Sequence, residues 1–281
     1  MTQREQPPHR SNAPPDDLPF TVRVDETDAL WATTSRSPTP RHLAVTPVQL
    51  HRRNVKRRLR EAAHPRSEFA FARLVDVARD LAGAARTVTD AEPTTETLDR
   101  IDRLALTRRV LRDEAFPAET LARVVGAPAA DQAERVERAR TSLGTVTGFH
   151  PDRLDALRAV ADETEGAAAA DARDLLEGLV ALQVALEGRT DVAVSDTGLL
   201  RVATRHLAAT PEVWERAYPD IETLSVAGVS MLTATLEDLL RTVGERTAVD
   251  VSLYLRAGTG PTIADQLRRQ DAAFDPGVDV S

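Results

Sequence analysis

Short apolar runs alternate with amphipathic stretches near both ends of the chain. Apolar runs of roughly four to eight residues indicate buried strands, and apolar positions about 3.6 residues apart indicate helices. In the first stretch, strands and helices are predicted in turn over 41–46, 48–63, 68–71 and 74–85. In the last stretch, they are predicted in turn over 223–229, 233–243, 249–255 and 262–269. Strands separated by helices in this way are typical of a parallel sheet.

Between these two stretches, the chain shows helical spacing and no strand pattern. The predicted helices, divided by prolines and glycines, cover 94–115, 117–126, 130–142, 151–164, 168–187 and 195–209. We therefore predict an α/β fold in which a helical insertion interrupts a parallel sheet. The expected organisation is a disordered or loosely attached arm over 1–40, an α/β domain over 41–90 and 214–260, an insertion over 91–213, and a short helix with a flexible tail over 261–281. Within the arm, 18–24 and 29–33 could be short strands or a covering segment.

The composition excludes several kinds of site and several classes of protein. The chain has no cysteine, which excludes disulfides, zinc–cysteine sites, iron–sulfur clusters and thiol catalysis. Its first residues are polar and proline-rich, unlike a signal peptide. No stretch approaches the roughly 20 apolar residues that a membrane span needs. We expect a cytoplasmic protein with no membrane partner.

Lys56 is the only lysine of the chain, and it decides against two kinds of active site. A phosphate-binding loop needs glycines before its lysine, and none lies near Lys56. A nuclease of the PD-(D/E)xK type needs an acidic residue two positions before its lysine, where this chain has Asn54. The six histidines show no metal-ligand spacing. We therefore predict no catalytic residue, no metal and no cofactor.

The helix predicted over 48–63 carries the one dense group of positive charge in a protein whose net charge is −8. Arginine side chains suit the phosphate oxygens of nucleic acids. We expect contacts with single-stranded DNA from Arg52, Arg53, Lys56 and Arg57. The alternative is a solvated helix face whose charges pair with Glu61 and neighbouring acids.

Three segments follow one another in the order of a known family. HLAVTPVQLHRRNVKRRL resembles a strand with a V-P-x-Q element, here at Pro47 and Gln49. FAFARLVDVARDLA resembles the next strand with an F-S-R-L-like element, here at Arg73. The segment over 214–255 resembles a return to the sheet, with Ala227-Gly228 where an ATP-hydrolysing member has an aspartate before the glycine. The chain in this way resembles the N-terminal helicase-like domain of the B subunit of ATP-dependent helicase–deoxyribonucleases, the AddB/RecC-like family.

This resemblance implies a helicase-like sheet derived from the P-loop NTPase fold, with the Walker A loop and the Walker B acid missing. It implies a non-catalytic subunit or domain of a DNA repair and recombination helicase–nuclease, which provides scaffold and DNA contact beside a motor helicase or nuclease subunit. Two alternatives stay open. One is an ATP-dependent helicase or exonuclease subunit that is active only in complex, and the other is a truncated remnant with no DNA role.

Overall fold

Five parallel strands form one sheet in the part of the chain that the structure describes. The computed structural model describes residues 18–24, 30, 39–46, 49–61, 66–163 and 166–269. The strands lie in the order β1-β5-β4-β2-β3, and each neighbouring pair is parallel. Their bounds are β1 (Thr21–Val24), β2 (His42–Val45), β3 (Phe69–Ala72), β4 (Thr223–Val229) and β5 (Asp250–Leu255). The α/β fold with a parallel sheet that the sequence predicts is confirmed.

Helices make up most of the remaining described chain. None of the described helices combines the length and the apolar character that crossing a bilayer requires. Their bounds are α1 (Gln49–Glu61), α2 (Leu74–Val88), α3 (Arg100–Leu111), α4 (Ala118–Val125), α5 (Ala133–Thr147), α6 (Pro151–Glu163), α7 (Ala167–Glu187), α8 (Asp196–Ala209), α9 (Glu212–Ala217), α10 (Ala234–Arg246) and α11 (Gly260–Arg269).

One face of the sheet packs against α2, α8 and α10. Leu43, Leu224 and Leu253 are buried in a core that they share with residues of these three helices. On α2, the side chains that face this core include Ala78 and Ala82, both fully buried. Because alanine is small, the backbone of α2 lies close to its neighbours, and burying each larger aliphatic side chain contributes roughly 1.5–3 kcal/mol.

The opposite face of the sheet packs against α1. It is built by the alternate residues of the same strands, because successive side chains of a strand point to opposite faces. Within this face, His42 Nε2 lies 2.8 Å from Ser225 Oγ. Burial lowers the pKa of His42 to about 4, so the ring is neutral near pH 7. The apolar residues of this second core are Leu30, Ala44, Val55, Phe69, Ala227 and Tyr254.

Strand β1 corrects one expectation. Its residues fall within the arm over 1–40, for which we predicted disorder or loose attachment, yet they pair in register with β5. Val22 and the preceding Phe20 are buried in the main core. The chain also approaches α10 closely, since a Cβ at Gly244 would overlap the carbonyl of Pro19. The prediction of loose attachment is therefore wrong for residues 18–24, because apolar side chains here complete the core at the edge of the sheet.

The helices between β3 and β4 belong to two layers. Helices α3, α4, α5 and α7 enclose a core of their own, whereas α8 and α9 pack on α2. A buried ion pair joins α6, which packs on α7, to α10, which packs on α8. In this pair, Arg153 of α6 donates to both carboxylate oxygens of Asp238 on α10 at 2.9 and 2.5 Å. The strands on either side of this helical region, β3 and β4, belong to the same sheet, because each of them pairs with β2.

Candidate nucleic-acid interface

Helix α1 is held on the sheet by Val55. The helix follows β2, and Val55 packs against Ala44 of β2 and Phe69 of β3 with only 7% of its surface exposed. Because Val55 faces the sheet, the side chains of Arg53 and Arg57, which lie on the opposite side of the helix, are exposed. The apolar anchor thus forces the charged side of α1 towards solvent or a ligand.

Lys56 lies against the outer strand of the sheet. Its Nζ is 4.9 Å from the centroid of the Phe71 ring, which is a cation–π distance. Lys56 is half-buried as a result, whereas Arg53 and Arg57 are exposed. The structure therefore separates Lys56 from the two arginines with which the sequence grouped it.

A cavity of about 240 Å³ lies between α1 and the carboxyl ends of two strands. Ala227 and Gly228 line it from the end of β4, and Arg256 lines it from the residue after β5. On the side of α1 it is lined by Asn54, Val55, Arg57 and Arg58. We call this the edge cavity.

The edge cavity lies at the point where the strand connections diverge. The chain leaves β2 through α1 on one face of the sheet, and it leaves β4 through α10 on the other face. Because β2 and β4 are neighbours, their connections open a crevice between them at the carboxyl edge. In open parallel sheets, this is where ligands bind.

The end of β4 shapes the floor of the edge cavity. Gly228 has φ +79°, a left-handed conformation that glycine adopts without strain. The register between β4 and β5 shifts at this point, between Ala227 and Val229. The chain therefore bends away from the sheet with a bare backbone at the cavity, and Ala227 beside it offers no carboxylate.

Positive charge dominates this region. Helix α1 contains six basic residues and one acidic residue, Glu61. Arg57 Nε lies 3.8 Å from Glu61 Oε1, and both side chains are more than 60% exposed, so the pair is weak. With Arg256 on the opposite wall, the edge cavity and the exposed side of α1 form one basic surface, which consists of Arg53, Arg57, Arg58 and Arg256.

The other residues singled out from the sequence are placed differently. Arg73 caps α2, donates to Asp76 at 2.9 and 2.6 Å, and by this hydrogen bond lowers the pKa of Asp76. Arg73 lines a separate cavity of about 260 Å³ with Asp196 and Thr233, so it is not brought together with the basic surface. Pro47 lies outside the described residues, as do the side chains of Gln49 and Arg52, although the backbone of both belongs to α1.

Sequence reasoning did not assign Asn54, Arg58 or Arg256 to the site. Arg256 directly follows a strand that the sequence predicts, and the carboxyl end of a parallel strand is where binding residues gather. That position was therefore a usable signal. Arg58 lies three positions after Val55, on the flank of α1 that the cavity occupies, which only the docking of the helix reveals.

Comparison with known proteins gives one match to a family. The family model described as "Halobacterial UvrD-like protein" matches residues 4–281. A search of curated proteins found no match. The family match agrees with the all-parallel sheet, and it supports a UvrD-like, helicase-related family. It does not extend to the specific AddB/RecC-like subunit that the sequence resembles.

Proposed function

The chain belongs to the family of halobacterial UvrD-like proteins, and from this membership we propose that it is a helicase-like protein that binds single-stranded DNA. We further propose that it acts without catalysis of its own, as a scaffold and DNA-contacting subunit of a DNA repair or recombination helicase–nuclease. The observation that carries the proposal is the basic surface at the carboxyl edge of the sheet.

The geometry of the basic surface suits a chain of phosphates. Arg53 and Arg57 lie one turn apart on the exposed side of α1, and each guanidinium presents five donors. Arg58 from α1 and Arg256 from the end of β5 line the same edge cavity, which Arg57 and the end of β4 also line. A phosphate backbone that follows α1 would meet donors continuously, and the helix provides no matching row of carboxylates.

The proposed contact reads the backbone rather than the bases. Base stacking needs an exposed aromatic ring, and Phe71 is half-buried with Lys56 over its face. Phosphate contacts carry no sequence information by themselves. The proposal therefore includes weak dependence on base sequence and strong dependence on salt.

The non-catalytic part of the proposal rests on the residues at the edge cavity. An ATP-hydrolysing relative of the resembled family would have an acidic residue at the position of Ala227, which is buried and apolar. The only lysine, Lys56, lies on α1 without a glycine loop. A partner with an ATPase motor would supply the missing chemistry, which supports the role of a subunit.

Binding of a fluorescent, mixed-sequence DNA strand at a series of salt concentrations tests the proposal. For the full chain, log affinity should fall linearly with log salt. The double variant Arg53→Gln, Arg57→Gln should bind roughly tenfold more weakly at low salt, and its slope should be smaller by about 1.4, since each phosphate contact on a single strand contributes about 0.7. With Mg²⁺ and the ionic strength held constant, adding ATP should leave the affinity unchanged.

A control removes the same charge elsewhere. Arg108 and Arg109 are exposed arginines on α3, and the double variant Arg108→Gln, Arg109→Gln should bind like the unmodified protein. If both double variants lose affinity equally, the binding is a general effect of net charge. If neither changes the salt slope, the basic surface is a solvated helix face and the proposed function fails.

A further inference from the structure

Three arginines meet in a small enclosed space far along the chain from α1. Arg103 of α3, Arg140 of α5 and Arg201 of α8 line a cavity of about 40 Å³ between the helical layer and the start of α8. The remaining lining includes Gln183 and Ser195. We call this space the arginine cavity.

The carboxylates at the arginine cavity do not balance its arginines. Arg103 and Arg140 both donate to Glu137, over distances of 2.6 to 2.7 Å. Arg201 Nη2 donates to Glu187. Two carboxylates therefore serve three guanidinium groups, and one positive charge is left over in a largely buried cluster.

Gln183 connects the two ion pairs without adding charge. Its Oε1 accepts from Arg140, and its Nε2 donates to Glu187 at 2.7 Å. Both polar ends of this buried amide are therefore used within the cluster. The amide cannot compensate for the remaining positive charge.

Arg201 carries the unused donors. Its side chain is 11% exposed, and its Nε and Nη1 are buried without a hydrogen-bond acceptor among the described residues. Leaving charged donors buried and unpaired is unfavourable, and native proteins usually place an acceptor there. The missing acceptor is therefore expected to carry negative charge.

The start of α8 adds to the same potential. Ser195 caps the helix by accepting from the amide of Gly198, and Ser195, Thr197 and Gly198 all line the arginine cavity. A helix of 14 residues presents the positive end of its dipole there. Asp196, the acidic residue of this first turn, lines the separate cavity beside Arg73 instead.

We propose that the arginine cavity binds one small inorganic anion, which accepts from Arg201 and ties α3 and α5 to α8. The space holds about three water molecules by volume, which admits a halide or a small tetrahedral oxyanion and excludes organic ligands. Because α8 packs on α2 and α10, the anion would fasten the helical layer to the layer that covers the sheet.

Thermal unfolding of the full chain tests this site without DNA. At constant ionic strength, gluconate, which is too large for the cavity, is replaced stepwise by bromide in one series and by sulfate in another. The bound anion should raise Tm by about 3 °C at ten times its Kd, and Tm should continue to rise with the logarithm of the anion concentration above that point. A rise with bromide that is lost in the Arg201 variant identifies a halide site, and a rise with sulfate that is lost in that variant identifies an oxyanion site, whereas a rise with sulfate that the variant keeps is the general stabilisation by an excluded salt.

Variants locate the effect. Arg201→Gln keeps a donor for Glu187 and removes the surplus charge, so the rise in Tm should be lost. Arg173→Gln, which removes an exposed arginine that pairs with Asp162, should keep it. Should Arg201→Gln not fold, Arg103→Gln removes the surplus charge equally and should weaken the anion at least tenfold. The proposal is overturned if neither anion raises Tm, or if the rise is as large in the Arg201 or Arg103 variant as in the unmodified protein.

Discussion

Two groups of arginines in this protein have opposite surroundings. In the helical layer, Arg140 and Arg153 are buried and each donates to a carboxylate through two nitrogens. On α1, Arg53 and Arg57 are exposed, and Glu61 is the one acidic residue of the helix. The same residue type therefore holds the fold together in one region and offers its charge to a ligand in the other.

The difference shows why a count of charges says little about a site. The chain is acidic overall, with 44 acidic and 36 basic residues, yet several of its acids pair with buried arginines between packed helices. Removing one partner of a buried ion pair strongly destabilises the fold, because the remaining charge stays buried with neither a partner nor water. An exposed charge on one helix costs little to remove, because water replaces its partner.

The largest effect should follow from breaking the buried pair between α6 and α10. Replacing Asp238 by alanine leaves the Arg153 guanidinium, which is 7% exposed, without its carboxylate. We expect the free energy of unfolding to fall by about 3–5 kcal/mol, measured by urea denaturation. The double variant Arg153→Met, Asp238→Leu should recover much of this loss, since no charge stays buried. A fall of less than about 1 kcal/mol for Asp238→Ala would contradict the comparison.

The next effect concerns His42, a buried titratable group on the second face of the sheet. Burial lowers its pKa to about 4, whereas an unfolded histidine has a pKa near 6.5. The unfolded chain therefore binds the proton more readily, so the stability due to neutral His42 is present above about pH 6.5 and is lost as the pH falls towards 4. The full loss corresponds to about 3 kcal/mol.

Urea denaturation across this pH range measures the contribution of His42. His42→Gln can still hydrogen-bond Ser225 and should flatten the dependence of stability on pH. His206→Gln is the matched control, since burial and the nearby Arg205 also lower the pKa of His206, which is less buried. A wild-type stability that stays constant from pH 7 to pH 4.5 would show that His42 is solvated.

The smallest effect should come from the exposed side of α1. Arg53→Gln and Arg57→Gln should each change the free energy of unfolding by less than about 0.5 kcal/mol, because exposed charges contribute little. Lys56→Gln should cost about 0.5–1 kcal/mol, since it removes the contact with Phe71. If Arg53→Gln and Lys56→Gln lowered the free energy of unfolding equally, Lys56 would be no more engaged with the fold than the exposed Arg53.

The strands and most helices could be predicted because their apolar periods are clear. Strands β2, β3, β4 and β5 each begin and end within a residue or two of the predicted bounds. The helix predicted over 94–115 was too long at its start, because the side chain of Asp99 accepts from the amides of Ile101 and Asp102 and begins α3 at Arg100. A short polar cap of this kind overrides a periodic pattern.

Helix α9 was missed, and strand β1 was left undecided, for the opposite reason. Helix α9 has six residues, which is too short to show a period. Strand β1 has four residues at the edge of the sheet, and a short segment of this kind does not tell a strand from a covering arm. Its pairing with β5 comes from a partner more than 200 positions away along the chain.

The amino-acid sequence by itself determined the parallel α/β pattern, the absence of cysteine chemistry and of a phosphate loop, and the concentration of basic residues on one helix. These properties depend only on the residue types and on their spacing along the chain, so they can be read from the sequence. Only the tertiary structure decided that Lys56 turns to Phe71, that Arg58 and Arg256 share a cavity, and that three arginines meet two carboxylates between α5, α7 and α8. Those neighbours come from helices and strands far apart in the chain. Which side chains meet depends on how these elements pack, because packing sets the orientation of each helix and strand and how deeply each side chain is buried.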